Sequence, residues 1–379
     1  MTLAPELTPG SRVSTLELFF DLVFVFTVTQ VTGGVAQAHG PTGYGQAALI
    51  LGVLWWMYGG YAWLTNNVGT DSPLNRLLLL GGMFGFLVAA LTIPSAFGAG
   101  GLAFGLAYLL VTLIHAALFT HAQNSSALAI LRIAPFNLTG ALLVILAGIL
   151  GGPYRLPLWG LAFLLPVAST LFRRYGAFSL SPGHFVERHG LVLIIALGES
   201  VVSIGVGAAG LPISARLVLA SGLALALVAA LWWSYFGGGG GTSDESRAEH
   251  ALGRASGEER ARMALFAFGY AYLAILAGVV LASAGVKGVI AHLEGHASPQ
   301  VAWTLAGGAA LYLLGESWFR QILGIGRGRG RLLGALLALP TALIGLSMGG
   351  LWQLLALVLL LLATLLWERR AATGIGGGA

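Results

Sequence analysis

Acidic residues are few in this chain, and several stand where lipid would be expected. Glu17 and Asp21 lie four residues apart at the start of an apolar run that continues to about Gln37. That spacing puts both on one helix face, about 6 Å apart along the axis. A second run reads His184, Glu187, Arg188 and then, after ten mostly apolar residues, Glu199. Glu199 is therefore about 18 Å deeper than Glu187, near the middle of a bilayer. A carboxylate at that depth needs a proton, a cation or a hydrogen-bond donor. Ser200 follows it, and Ser203 shares its face one turn on. The chemistry on offer is ion or proton binding, or contact with a solute in transit. The structural alternative is a hydrogen-bonded packing residue between helices. Glu316 repeats the Leu-Gly-Glu-Ser setting of Glu199, with Arg320 four residues later to pair with it. His115, inside another apolar run, is a candidate proton relay or a bond to a neighbouring helix.

Enzyme signals are absent. The chain has no cysteine, hence no disulfide framework and no thiolate metal site. His184 and His189 do not form a His-Glu-x-x-His zinc pair. Arg327, Arg329 and Arg331 alternate with glycine in a basic loop suited to anionic headgroups, and nothing reads as a phosphate loop or a nucleic-acid surface. No catalytic residue, metal or cofactor is expected, and lipids are the expected surroundings.

These side chains must be positioned by lipid-spanning helices. Of 379 residues, 57% are hydrophobic and only 9% charged, against roughly 25% charged in soluble domains. Twelve mostly apolar runs are long enough to be read as spans: 15–37, 43–66, 75–97, 101–121, 128–150, 156–173, 187–209, 214–236, 263–286, 299–322, 331–348 and 350–367. Arg132, Pro135 and Asn137 interrupt the start of the fifth. Ser14 to Glu17 fits a capping box that starts the first helix at Thr15. With twelve spans, 16 of the 19 basic residues fall on the side of both termini; Arg155, Arg216 and Lys287 fall on the other. Such a bias marks the cytoplasmic side. No cleavable signal peptide is visible in residues 1–14, which form a polar cytoplasmic segment. Residues 237–262 read as a solvated cytoplasmic loop with a short helix near Glu258–Arg262, and 371–379 as a disordered tail.

The chain echoes itself. Trp55, Trp56 and Tyr58 in the second run match Trp232, Trp233 and Tyr235 in the eighth. Glu17 matches Glu187, Arg76 matches Arg262, Tyr108 matches Tyr312, and Pro135 matches Pro340, all in the same order. The fold expected is an all-α membrane protein of two parallel six-helix repeats, 15–174 and 175–370. Both termini would be cytoplasmic. At the cytoplasmic mouth, Arg12, Glu17, Asp21, His184, Glu187 and Arg188 are expected to form one charge network. Glu17 or Asp21 would pair with Arg188, and Glu187 with Arg12.

Two motifs carry a resemblance. Glu17-Leu-Phe-Phe-Asp21-Leu-Val-Phe-Val, together with His184-x-x-Glu187-Arg188-x-Gly190-Leu191 and Leu197-Gly198-Glu199-Ser200, resembles the bacterial low temperature requirement A family over nearly the whole chain. The resemblance implies a multi-pass protein of the bacterial inner membrane linked to growth in the cold, and no particular substrate. A weaker similarity, through Phe19-Phe20-Asp21 and Asn75-Arg76 to Pro94, is to potassium channels built from six-helix units with a Phe-Ser-Asp signature. Phe20 replaces the serine, and the similarity implies that Asp21 is a latch rather than an ion ligand. Transport of a cation, proton or small solute is the first functional expectation. A non-catalytic stress or scaffold protein and a lipid-modifying enzyme subunit are the alternatives, and a homodimer is an expected assembly.

Overall fold

Helix α1 (Thr15–Ala36) begins where its sequence demands. The Ser14 hydroxyl accepts from the Glu17 backbone N–H, and the Glu17 carboxylate accepts from the Ser14 N–H, so both halves of the capping box form. The computed structural model describes residues 13–69, 72–120, 126–171, 180–238, 241–326 and 328–374. All regular elements among them are helical. After α1 come α2 (Gly40–Thr65), α3 (Pro73–Thr92), α4 (Gly101–Thr120), α5 (Ser126–Leu150) and α6 (Arg155–Leu171). Then follow α7 (Pro182–Ala208), α8 (Ala215–Phe236), α9 (Asp244–Arg254) and α10 (Gly257–Ala264). A π-helical turn, Leu265–Ala271, leads into α11 (Tyr272–Ala291). The chain closes with α12 (Pro299–Leu323), α13 (Arg329–Ala338), α14 (Thr341–Met348) and α15 (Gly350–Gly374).

Ten helical stretches among the described residues are long and apolar enough to cross a membrane. The expected sixth and tenth spans, α6 and α12, are not among these ten. Apolar side chains face outward, as lipid requires. Leu77, Phe84 and Leu91 form one exposed stripe of α3, while Leu79, Met83 and Phe86 on its other side are buried.

Three local expectations change. The fifth run is not broken at its start: α5 runs through Pro135, as helices in lipid tolerate. Residues 237–262 are not merely a solvated linker, since α9 and α10 occupy most of them and Asp244 is buried. The tail read as disordered from 371 is helical to Gly374, and 375–379 lie outside the described residues.

The chain packs as two units: Met1–Ile195 with Glu249–Gly269, and Ala196–Ala248 with Tyr270–Ala379. The first half of α7, carrying His184 and Arg188, thus belongs with α1 to α6. In the first unit α1 packs on α2 and α3, α4 lies between α3 and α5, and α2 meets α4 and α6. In the second unit α12 packs on α11, α13 and α14, and α15 meets α8, α13 and α14.

Helices α11 and α12 approach each other closely. A Cβ at Gly308 would lie 2.3 Å from the Ala282 backbone nitrogen, and one at Gly278 would lie 2.5 Å from the Tyr312 nitrogen. Backbone cannot yield as a flexible side chain would. Gly308→Val is expected to cost about 1–3 kcal/mol through overpacking and to lower the melting temperature of detergent-purified protein. An unchanged melt would contradict the tight approach.

Candidate functional site

Arg188 is the hub of a buried ion cluster in the first unit, 1% exposed. α7 carries it into the space between α1 and the C-terminal end of α2. Its Nη1 meets Glu17 Oε1 at 3.3 Å, and its Nη2 meets Asp21 Oδ1 at 3.3 Å. Nη1 also donates to the Thr65 hydroxyl and to the Tyr61 carbonyl at 3.4 Å. The guanidinium carbon stands 5.5 Å from the Phe20 ring centre and 5.6 Å from that of Tyr58. Tyr58 donates its hydroxyl to Asp21 Oδ1 at 2.9 Å.

His184 completes the group. Asn66 Oδ1 accepts from the Ser181 N–H, which orients its amide so that Nδ2 faces His184 Nδ1 at 3.2 Å. With Nδ1 accepting, Nε2 carries the hydrogen and donates to Glu17 Oε2 at 3.2 Å. Among the described residues, Glu17 thus faces both His184 and Arg188, and Glu17 and Asp21 share one guanidinium. Among the described residues, Asp21 Oδ2 is buried without a hydrogen-bond partner.

Of the residues expected in one charge network, Glu17, Asp21, His184 and Arg188 come together, and Glu187 is not shown joined to them. Glu17 and Asp21 both pair with Arg188. Glu187 accepts from the Val13 N–H at 3.4 Å, and its expected partner Arg12 lies outside the described residues.

A second cluster, in the second unit, was not anticipated. Arg331 Nη1 meets Asp244 Oδ2 at 2.8 Å and Glu316 Oε2 at 3.0 Å, and its Nε meets Glu368 at 3.4 Å. Arg320 pairs with Asp244 at 2.7 Å and Glu368 at 3.1 Å. The expected pairing of Glu316 with Arg320 is therefore corrected. Glu316 is completely buried and takes Arg331 and the Ser234 hydroxyl instead. Arg331 is not in a headgroup-facing loop; it opens α13 and turns inward to the Ser234 carbonyl. A signal was there: an arginine directly before a ten-residue apolar run needs a buried acid or the interface, and Asp244 opens the charged run after α8.

Glu199, in the second unit, is 7% exposed and accepts from Ser203 at 3.4 Å. Ser200 bonds Ser283 across to α11 at 2.6 Å, which is an interhelical contact. His115 lines a cavity of about 100 Å³ in the first unit, with the Tyr61 ring 5.3 Å and the Phe119 ring 5.0 Å away. No spacing in the sequence pointed to this cavity. The two Trp-Trp pairs also separate: Trp55 and Trp56 line it, whereas Trp232 and Trp233 face outward, 40% and 46% exposed.

An all-helical bundle with many apolar spans, lipid-facing leucines and buried ion clusters defines a multi-pass membrane protein. The chain belongs to the bacterial low temperature requirement A (LtrA) family, whose pattern matches residues 12–366. An uncharacterized protein of Rhizobium meliloti (strain 1021), RA0937, is 27% identical over 339 residues, covering 84% of this chain and 80% of that protein.

Proposed function

We propose that the protein is a bacterial inner-membrane transport protein that moves a small solute or cation with a proton exchanged at the Arg188 cluster. The observation that carries this reading is the buried Asp21 carboxylate. Charges buried among spanning helices are costly and are kept where ions or protons move. Glu17 and Asp21 share one guanidinium, and among the described residues Asp21 Oδ2 has no hydrogen-bond partner. The proton can enter there without breaking the Arg188 contacts on Oδ1.

The topology proposed is twelve spans in two parallel six-helix repeats, with both termini in the cytoplasm. Like packing in the two units supports it: α3 on α4 answers α11 on α12, and α2 on α6 answers α8 on α15. The excess of arginine on the side of the termini supports the orientation. Glu199 remains a second candidate for the ion path.

Protein reconstituted in sealed liposomes is expected to dissipate an imposed pH gradient, read by an entrapped pH-sensitive dye. Asp21→Asn is expected to slow that flux at least about tenfold, the scale of losing a positioned proton acceptor. Glu199→Gln run in parallel assigns or removes its role. Correctly inserted wild-type protein that passes no proton or cation under any gradient would overturn the proposal. The family's name leads to a matching expectation in cells, that a deletion strain grows more slowly in the cold.

A further inference from the structure

The cavity of the first unit has a wall of a particular kind. Trp55, Trp56, Trp63, Phe119, Phe185 and Phe268 supply six aromatic rings around about 100 Å³. The polar side chains are His115, His189, Asn137 and Thr170, and among the described residues no Asp, Glu, Lys or Arg lines it. Two of the indole N–H groups are engaged in the wall itself. Trp55 donates to the Gly269 carbonyl at 2.8 Å, and Trp56 to Asn137 Oδ1 at 3.0 Å. His189 donates from Nδ1 to the Phe185 carbonyl at 2.8 Å. These bonds hold the rings in place, so the wall presents mainly aromatic surface.

The wall also backs onto charge. Trp55 stacks on Tyr58, ring centres 5.1 Å apart and planes within 18°, and Tyr58 bonds Asp21. Behind the rings lies the ion cluster, in which Arg188 stands 5.6 Å from the Tyr58 ring centre and Asp21 accepts from the Tyr58 hydroxyl. The ring faces of the wall are themselves electron-rich. An anion is disfavoured. A small inorganic cation would exchange its water for rings with few oxygens, a poor substitute. A weakly hydrated organic cation loses little water and gains the ring faces.

We propose that this cavity is a binding site for a small alkylammonium cation. The proposal deepens the transport reading by naming a solute class, and binding is measured without flux so that each can fail alone. Gly59 lines the cavity, and a Cβ there would meet no atom within 4 Å. A side chain introduced at this position therefore starts in open space at the cavity wall.

The test titrates the full-length protein in detergent with choline and, separately, with its uncharged carbon analogue dimethylbutanol, following tryptophan fluorescence and calorimetric heat. Choline is expected to bind saturably, and the analogue at least about tenfold more weakly. Potassium is expected not to compete. Gly59→Leu is expected to abolish choline binding with the melting temperature kept. Trp56→Leu is expected to weaken it, and Trp56→Phe to retain most of it. Equal binding of the analogue would make the cavity merely apolar and overturn the proposal. No saturable choline binding, or unchanged binding by Gly59→Leu, would overturn it as well. Choline binding without any flux would keep this site while removing the transport reading; flux without choline binding would do the reverse.

Discussion

Arg188→Met is expected to lose most of its folded protein from the membrane fraction. The substitution removes the single guanidinium that Glu17 and Asp21 share and leaves both carboxylates buried. Breaking a buried pair by deleting one partner costs about 3–5 kcal/mol, a large part of a total stability of roughly 5–15 kcal/mol. Thr65 and the Tyr61 carbonyl lose their donor at the same time. Arg188→Lys is expected to fall between, because one ammonium cannot reach both acids, Thr65 and the carbonyl together. The charge explanation has its own control. Adding Glu17→Gln and Asp21→Asn to Arg188→Met removes the stranded charges and is expected to restore part of the melting temperature. A triple variant no more stable than Arg188→Met would show that packing against Phe20 and Tyr58, not charge, is what Arg188 supplies.

The second large effect is expected at Arg331. Arg331→Met withdraws the ion-pair partner of the completely buried Glu316, one of two arginines on Asp244 and Glu368, and the donor to the Ser234 carbonyl. The cost is again about 3–5 kcal/mol. The consequence differs in place. Asp244 sits in the first turn of α9, so its contacts with Arg320 and Arg331 pin the start of that helix. Trypsin is therefore expected to cut at Arg247 and Arg254 faster in the variant than in the parent, below the temperature at which either melts. Equal cleavage rates would mean that α9 is held by other contacts. Arg320→Met keeps the Arg331 contacts and is expected to be milder.

Part of the site could be read from the chain directly. Ser14 and Glu17 announce their capping box because its partners are three residues apart, and it forms as expected. Glu17, Asp21 and Arg188 could be paired from their positions in the chain, since a lipid-spanning run leaves a charge few partners and all three lie near helix mouths on one side. The same logic failed for Glu316. A sequence-local partner four residues away was available, yet Arg320 turns to Asp244 and Glu368 while Glu316 takes Arg331. Helical spacing permits an ion pair but does not rank it against partners brought in by other helices. The Trp-Trp pairs carry the same lesson: two nearly identical motifs end up in a cavity wall and on an outward face.

Whatever depends on neighbours along the chain was legible in the residues: most of the apolar spans and the cap of α1. These follow from helical period and from the cost of placing polar groups in lipid, both local quantities. Folding in three dimensions was needed to settle which buried acid meets which arginine, that Asp21 keeps one oxygen unpartnered among the described residues, and that six aromatic rings line one cavity. Such features depend on where separate helices meet, and contacts between residues far apart in the chain leave no period in the sequence.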